Sequence, residues 1–206
     1  MSNPATANGI LSRPVLLGTA CVAMLLTVFI LPFHSVDEYS ILKNTTSHLG
    51  AQNAPYAWVM NMVFVLLGAT AIVEGWLRLG NYWLHKVILA VFGTSLIVTG
   101  VFRHAPIVPD VPFSTYEDGL HSLFASITGF SFTLFAIAAA AIEPTKVRRL
   151  VAMGAGAVAI LVSILIFRME DYAGIWQRLM FIVAFAWLLF FLGSRGRSSS
   201  RRPQPA

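Results

Sequence analysis

Six uninterrupted apolar runs of 16 to 23 residues, separated by short clusters of charged residues, constrain this chain more than any other feature. An α-helix needs about 20 apolar residues to cross a bilayer, and a spanning segment must satisfy its backbone hydrogen bonds internally. The runs do not alternate apolar and polar residues, as barrel strands would. We therefore expect an all-α polytopic membrane protein, a six-transmembrane-helix bundle. The expected spans are Pro14–Phe33, Tyr56–Val73, Val87–Phe102, Leu120–Ile142, Leu150–Phe167 and Tyr172–Gly193.

Composition agrees with a membrane protein. Charged residues make up 11% of the chain, against roughly 25% in soluble domains. The net charge of +5 comes from basic residues that border the spans, so we expect membrane lipids as partners and no nucleic acid. The single cysteine, Cys21, permits no intramolecular disulfide. The oligomeric state is left open.

The two ends of the chain are expected to lie outside the bundle. The first run has only Arg13 before it and no small-x-small cleavage site before Pro32, so we interpret it as an uncleaved anchor. This gives a cytoplasmic N-terminus (1–13), a transmembrane domain (14–193) and a basic tail (194–206). The tail is rich in Arg, Ser and Pro, which predicts disorder.

The distribution of Lys and Arg predicts the orientation. With both termini in the cytoplasm, ten basic residues lie inside: Arg13, Arg78, Lys86, Lys146, Arg148, Arg149, Arg195, Arg197, Arg201 and Arg202. Four lie outside: Lys43, Arg103, Arg168 and Arg178. Short cytoplasmic loops carry the excess of Lys and Arg, so we expect a multi-pass protein of the cell membrane in this orientation.

Chemically varied side chains concentrate on the opposite, outer side. They are the acids Asp37, Glu38, Asp110, Glu117, Asp118, Glu170 and Asp171 and the histidines His34, His48, His104 and His121. A functional site, if the protein has one, is therefore expected to open outward.

The fourth span has a polar stripe that begins at Asp118, His121 and Ser122, spaced i, i+3 and i+4. It continues through Ser126, Gly129 and Thr133, and such a stripe is typical of a helix face inside a bundle. On a functional interpretation, Asp118 and His121 line an outward cavity. Alternatively, Asp118 caps the helix and His121 lies in the interfacial layer.

Two arginines are further candidates. Arg178 lies more than a turn inside the sixth span and is expected to pair with Asp118 or Glu170, or else to snorkel to the interface. We expect Asp118, His121 and Arg178 to converge near the outer ends of the fourth and sixth spans. Arg103 ends the third span, where snorkelling is the simpler interpretation. The candidate ligand-binding residues are His121, Asp118, Arg178, Ser122, Ser47, His48 and Arg103.

Strong metal and cofactor motifs such as H-E-x-x-H or paired C-x-x-C are missing from the sequence. We therefore expect no metal site and no cofactor, although the outer histidines and acids supply enough potential ligands. The adjacency of Ser47 and His48 does not predict a nucleophile pair, since catalytic partners meet through the fold.

Two other patterns indicate helix packing. Small residues share one face of the third span (Ala90, Gly93, Gly100) and of the fifth (Ala152, Gly156, Ala159, Ser163), which predicts close helix contacts. Glu74 and Arg78, spaced i and i+4, predict an ion pair on the protein surface.

Several of these residues resemble the signatures of a known family. The runs are Thr46-Ser47-His48-Leu49-Gly50-Ala51 with Pro55-Tyr56-Ala57-Trp58 and Asn61, Gly100-Val101-Phe102, Leu120-His121-Ser122-Leu123, and Gln177-Arg178. They resemble a prokaryotic six-span membrane family catalogued as a domain of unknown function (nine-nine-eight), and the likeness covers most of 14–193. His48 stands where that family is expected to have an acid, and Arg103-His104 interrupts an expected Phe-Pro. The chain is more distantly similar to the Frag/DRAM/Sfk membrane proteins, which implies a link to lipid homeostasis.

From the sequence we favour a non-enzymatic membrane protein that binds or senses lipid, or another small ligand, through an outward-facing polar cavity. An intramembrane hydrolase, metal-dependent or not, that uses His121, Asp118 and the loop histidines is the alternative. A small transporter is the third hypothesis, although broken helices and a clear inverted repeat are not apparent. Whether the protein is an enzyme stays open.

The topology is testable by cysteine labelling after Cys21 is replaced by alanine. Single cysteines at Ser40 and Pro112 should react with a membrane-impermeant maleimide added to intact cells, because both positions are expected outside. Cysteines at Gly80 and Val147 should react only after permeabilisation. The reverse pattern would invert the topology.

Overall fold

The computed structural model describes residues 13–199, and the long helices follow the apolar runs. Its helices are α1 (Val15–Ile30), α2 (Thr46–Leu49), α3 (Ala57–Arg78), α4 (Trp83–Val101), α5 (Thr115–Ile142), α6 (Lys146–Arg168) and α7 (Ala173–Ser199). Short 3-10 turns lie at Leu31–His34 and Glu170–Tyr172, and the described part of the chain contains no strand. All of the helices except α2 are long and apolar enough to span a membrane, which confirms the predicted all-α, six-helix architecture.

Helices α5 and α6 begin several residues before the expected spans because a polar residue caps the start of each. Helix α5 begins at Thr115, where the Ser114 hydroxyl accepts a hydrogen bond from the Glu117 amide. Helix α6 begins at Lys146, where Thr145 caps the Arg148 amide in the same way. Hydropathy marks the part of a helix suited to hydrocarbon, while capping decides where the helix begins.

Helix α7 includes residues 194–199, for which the composition predicts disorder. The Arg195 guanidinium donates to the Ile142 carbonyl at 3.0 Å and lies over the rings of Tyr82 and Phe191. These contacts explain why the helix continues past the apolar run. The remaining parts of the predicted termini, residues 1–12 and 200–206, lie outside the described residues.

Consecutive long helices pack against one another, and α7 also reaches α1 and α3, which closes the bundle. Helices α3 and α4 cross closely at Gly68 and Gly93. A Cβ atom at either glycine would lie within 3.0 Å of the other's carbonyl oxygen, so only glycine permits this approach. On α6, Ala152, Gly156 and Ala159 are buried. Both predicted packing faces therefore make close helix contacts.

Glu74 and Arg78 form a buried pair, so the predicted surface location is wrong. Arg78 Nε lies 2.6 Å from Glu74 Oε2, and the two side chains are only 7% and 4% exposed. The other Glu74 oxygen accepts the Leu16 amide at 3.1 Å, and Arg78 donates to the Arg13 carbonyl. The pair is buried because the start of α1 packs over it and uses its remaining hydrogen-bonding groups.

Candidate functional site

Two loops at one end of the bundle, residues 35–56 and 102–114, fold over the helix ends and are here called the cap. Gln52 joins them. Its amide nitrogen donates to the carbonyls of Arg103 (3.1 Å) and Ser114 (3.0 Å), and its amide oxygen accepts the Ser114 amide at 2.7 Å. The Gln52 backbone amide donates to the His104 carbonyl at 2.9 Å. One buried glutamine thus closes the two loops on each other.

Within the cap, the single turn α2 is held by a capping box. The backbone amide of Thr45 donates to His48 Nδ1 at 3.1 Å. An amide N–H can only donate, so Nδ1 accepts and the neutral His48 ring carries its proton on Nε2. Burial lowers the pKa of His48 from 6.5 to about 4, and the charges of His104 and His121 act in the same direction. The charge of Asp118 opposes this shift.

The cap docks on the first turns of α7. The Thr46 amide and hydroxyl both donate to Gln177 Oε1, at 2.6 and 2.7 Å. The Gly174 amide donates to the Leu42 carbonyl at 2.9 Å. A Cβ atom at Gly174 would lie within 3.0 Å of the carbonyl oxygens of Ile41, Leu42 and Asn44, so this approach requires glycine.

Arg178 is the buried centre of this docking, with 3% of its surface exposed. Its guanidinium donates to the carbonyls of Val28 (3.3 Å), Ile41 (3.1 Å), Asn44 (3.1 Å) and Gly174 (2.9 Å) and to the Tyr39 hydroxyl (2.6 Å). The expected partners Asp118 and Glu170 are not among these acceptors, and the side chain does not snorkel. The planar fork of arginine suits this role because it aims several donors at once.

Asp118 and His121 belong to a second cluster, built around His104. The ring centroid of His104 lies 4.7 Å from that of His48 and 5.1 Å from that of His121. The Asp118 carboxylate accepts the Ala105 amide at 2.8 Å and lies 3.5 Å from His104 Nδ1. The structure therefore brings Asp118 and His121 into one histidine cluster. Arg178 contacts neither of them.

The orientation of His121 follows from its hydrogen bonds. His121 Nδ1 lies 3.0 Å from the Thr99 carbonyl and 2.9 Å from the Phe102 carbonyl. Two acceptors place the proton on Nδ1, and the buried Nε2 has no partner among residues 13–199. His121 thus ties α5 to the end of α4 rather than lying in an interfacial layer.

At Ser122 and Ser126 the polar stripe of α5 does not point into the bundle, which corrects the sequence prediction at these positions, whereas Gly129 and Thr133 are partly buried. Ser122 and Ser126 are exposed, while His121, Ser131 and Phe132 are buried. The Ser126 hydroxyl donates to the Ser122 carbonyl one turn earlier, at 2.8 Å. Serine satisfies its hydroxyl within its own helix in this way, so it needs no partner from a neighbouring helix.

Arg103 lies at the surface, 48% exposed, with its Nε 3.2 Å from the Glu117 carboxylate. This ion pair replaces the predicted snorkelling, because the first turn of α5 brings an acid within reach. Exposed pairs of this kind contribute little to stability.

Beneath the cap lies a cavity of about 70 Å³ between the helices, several times the roughly 10–15 Å³ that one water needs. Its walls are mainly apolar, with polar groups from the cap, α4, α5 and α7. The lining residues are Ser47, Phe64, Phe92, Leu96, Thr99, Ala125, Thr128, Gly129, Phe132, Ala159, Gln177, Met180, Phe181, Ala184 and Phe185. The expected polar cavity is thus largely hydrophobic, and of the candidate residues only Ser47 lines it.

A smaller cavity of about 40 Å³ lies within the cap, beside His48, Gln52 and Asn53. The described residues contain no group of three histidine, cysteine or acidic side chains arranged to hold a metal ion. His48 and His104 of the histidine cluster belong to the cap, and His121 joins them from α5.

Sequence reasoning did not predict the roles of two glutamines that organise the site. Gln52 joins the two loops, and Gln177 anchors the cap to α7. Gln52 carries no periodic or motif signal, because its three partners are backbone groups in a distant loop. Gln177 precedes Arg178 in a signature that the sequence did single out, but its partner Thr46 lies 131 residues away.

Comparison with known proteins identifies a family and nothing closer. A family model described as "Protein of unknown function (DUF998)" matches residues 19–193. No curated protein matches the chain, and no solved structure does. The more distant similarity to the Frag/DRAM/Sfk proteins therefore stays a resemblance.

The low pKa of His48 predicts a pH dependence for the cap. When the cap opens, His48 regains an ordinary pKa near 6.5, so the open state binds more protons between pH 6.5 and about 4. The stability of the closed cap should fall as the pH drops through this window, with no contribution from His48 above it. His48→Gln keeps an acceptor for the capping box but cannot titrate. Thermal unfolding at about pH 7.5 and about pH 4.5 should show a larger loss for the wild type than for this variant, and equal losses would contradict the prediction.

Arg178→Lys should undock the cap, because one ammonium cannot reach carbonyls of α1, the first loop and α7 together. Each buried carbonyl left without a donor costs roughly 1–3 kcal/mol. We expect a lower unfolding temperature and faster proteolysis within residues 35–56. Arg168→Lys, at an exposed position, is the matched control and should behave as the wild type. Unchanged stability of Arg178→Lys would show that the guanidinium does not hold the cap.

Proposed function

The chain belongs to the DUF998 family of proteins of unknown function, and from that premise we propose that it binds a lipid-like molecule, or another small ligand with an apolar body, in the cavity beneath the cap. Its six apolar helices make it a multi-pass membrane protein in contact with lipid. Binding rather than chemistry is the proposed role.

The observation that carries this proposal is that two polar groups without a hydrogen-bond partner in the described protein lie at the cap end of an otherwise apolar cavity. Ser47 and Gln177 both line it. Within residues 13–199, the Ser47 hydroxyl and the Gln177 amide nitrogen make no hydrogen bond, while Gln177 Oε1 is fixed by Thr46. An apolar pocket with a few converging polar groups is the usual form of a small-molecule site.

The walls of the cavity suit a hydrocarbon chain or ring. Phe181 stacks on Phe185 with ring centroids 6.1 Å apart, and Phe92 lies 6.0 Å from Phe132. Below these rings, Phe135, Trp187 and Phe191 fill the bundle, with centroids 5.4 to 6.0 Å apart. The aromatic packing gives the cavity a floor, so a bound chain would extend from the cap end toward the middle of the bundle.

The proposed orientation places the cap outside the cell and both termini in the cytoplasm. It is supported by the ten basic residues assigned to the opposite side against four on the cap side. The cavity would then lie in the outer half of the membrane. The hydrolase and transporter alternatives stay predictions, since no described contact favours either.

Cavity filling tests the proposed function. A Cβ atom at Gly129 or at Gly154 meets nothing within 4 Å, so both backbones accept a side chain. Gly129 lines the cavity, whereas Gly154 is exposed on α6. Purified protein is photolabelled with diazirine amphiphiles that share one alkyl chain and carry alcohol, methyl ester, phosphate or sulfonate head groups.

At least one probe should label the wild type and Gly154→Leu equally and Gly129→Leu several-fold less, because leucine occupies the space of the ligand. The labelled peptides should map to the cavity walls. If all four probes label Gly129→Leu as well as the wild type, the cavity is not a binding site and the proposed function is wrong.

A further inference from the structure

Resting on the proposed function, we infer that the ligand of this cavity is an uncharged amphiphile whose polar end is a hydrogen-bond acceptor, such as a carbonyl, ester, ether or hydroxyl oxygen. Two features of the cavity carry this inference: the kind of hydrogen-bonding groups left free, and the lack of any charged side chain in its lining.

The free groups at the cap end select an acceptor. Gln177 Oε1 already accepts two hydrogen bonds from Thr46, which fixes which end of the amide is the oxygen. The amide nitrogen remains, and it can only donate. The Ser47 hydroxyl also has a proton to donate, and no partner within the described chain uses it. A ligand oxygen at this end would satisfy both donors.

The lining excludes a charged head group. None of the residues around the cavity is Asp, Glu, Lys, Arg or His. The neighbouring cation, Arg178, does not line the cavity, and its guanidinium donates to four carbonyls and the Tyr39 hydroxyl instead. A carboxylate, phosphate or ammonium here would lose its hydration without an ion-pair partner in the cavity lining.

The other polar groups in the lining agree with an uncharged ligand. The Thr99 hydroxyl donates to the Ser95 carbonyl and the Thr128 hydroxyl to the Phe124 carbonyl, each within its own helix. Their protons are therefore used, and the lower cavity presents little more than hydrocarbon to a ligand. The donors lie at one end and the apolar walls at the other, which is the polarity of an amphiphile.

Ser47→Ala tests this assignment without disturbing the fold, because the hydroxyl it removes bonds to nothing in the described protein. With the four photoreactive probes described above, the alcohol and the methyl ester should label the wild type at concentrations at least about tenfold below those of the phosphate and the sulfonate. Ser47→Ala should weaken labelling by the two neutral probes about three- to tenfold. Ser122→Ala removes a hydroxyl from the exposed face of α5 that also makes no hydrogen bond within residues 13–199, and it should change nothing.

The outcomes separate the two proposals. If Gly129→Leu blocks labelling but the phosphate or sulfonate probe binds as well as the neutral ones, the cavity binds ligand and the uncharged assignment is wrong. If Ser47→Ala leaves neutral labelling unchanged, the assignment of the donor end is wrong. If Gly129→Leu affects no probe, the proposed function itself fails.

Discussion

The docking of the first loop on α7 through one buried guanidinium is the interaction on which the cap depends. Arg178 reaches carbonyls at the end of α1, in the loop and in α7 at the same time. These carbonyls are left over where helices end and the chain turns, and without a donor they would be costly to bury. An arginine in a membrane span usually marks an ion or substrate pathway. Here its donors are used by the backbone, so the charge stabilises the fold.

Several polar groups of the cap are paired with its own backbone and with the adjoining helix ends. Gln52 satisfies the two loops, and Asp118 and His121 satisfy the backbone between α4 and α5. At the cap end the cavity is lined by Ser47 and Gln177. A polar cap over an apolar chamber follows from this division.

Sequence reasoning predicted the six helices well because the free energy of placing a residue in hydrocarbon depends on that residue and its near neighbours. It predicted close packing of the α4 face that carries Gly93 for a similar reason, but it did not predict that α3 is the partner. It failed where the outcome depends on distant partners: helical spacing places Ser122 and Ser126 on one face of α5 but does not show which face the bundle covers. The acceptors of Arg178 are main-chain groups that no side-chain pattern reveals.

Gln177 connects the two halves of the site, because its oxygen holds α2 and its side chain also lines the cavity. The side chain is therefore held in place before any ligand arrives, and little conformational freedom remains to be lost on binding. A ligand that accepts from this amide would also favour the docked form of the cap, since the same side chain must keep its place in both contacts. By linkage, a docked cap would raise the affinity of the cavity by the same factor. Loosening of the cap, at Arg178 or at low pH through His48, would then weaken binding without any change in the cavity walls.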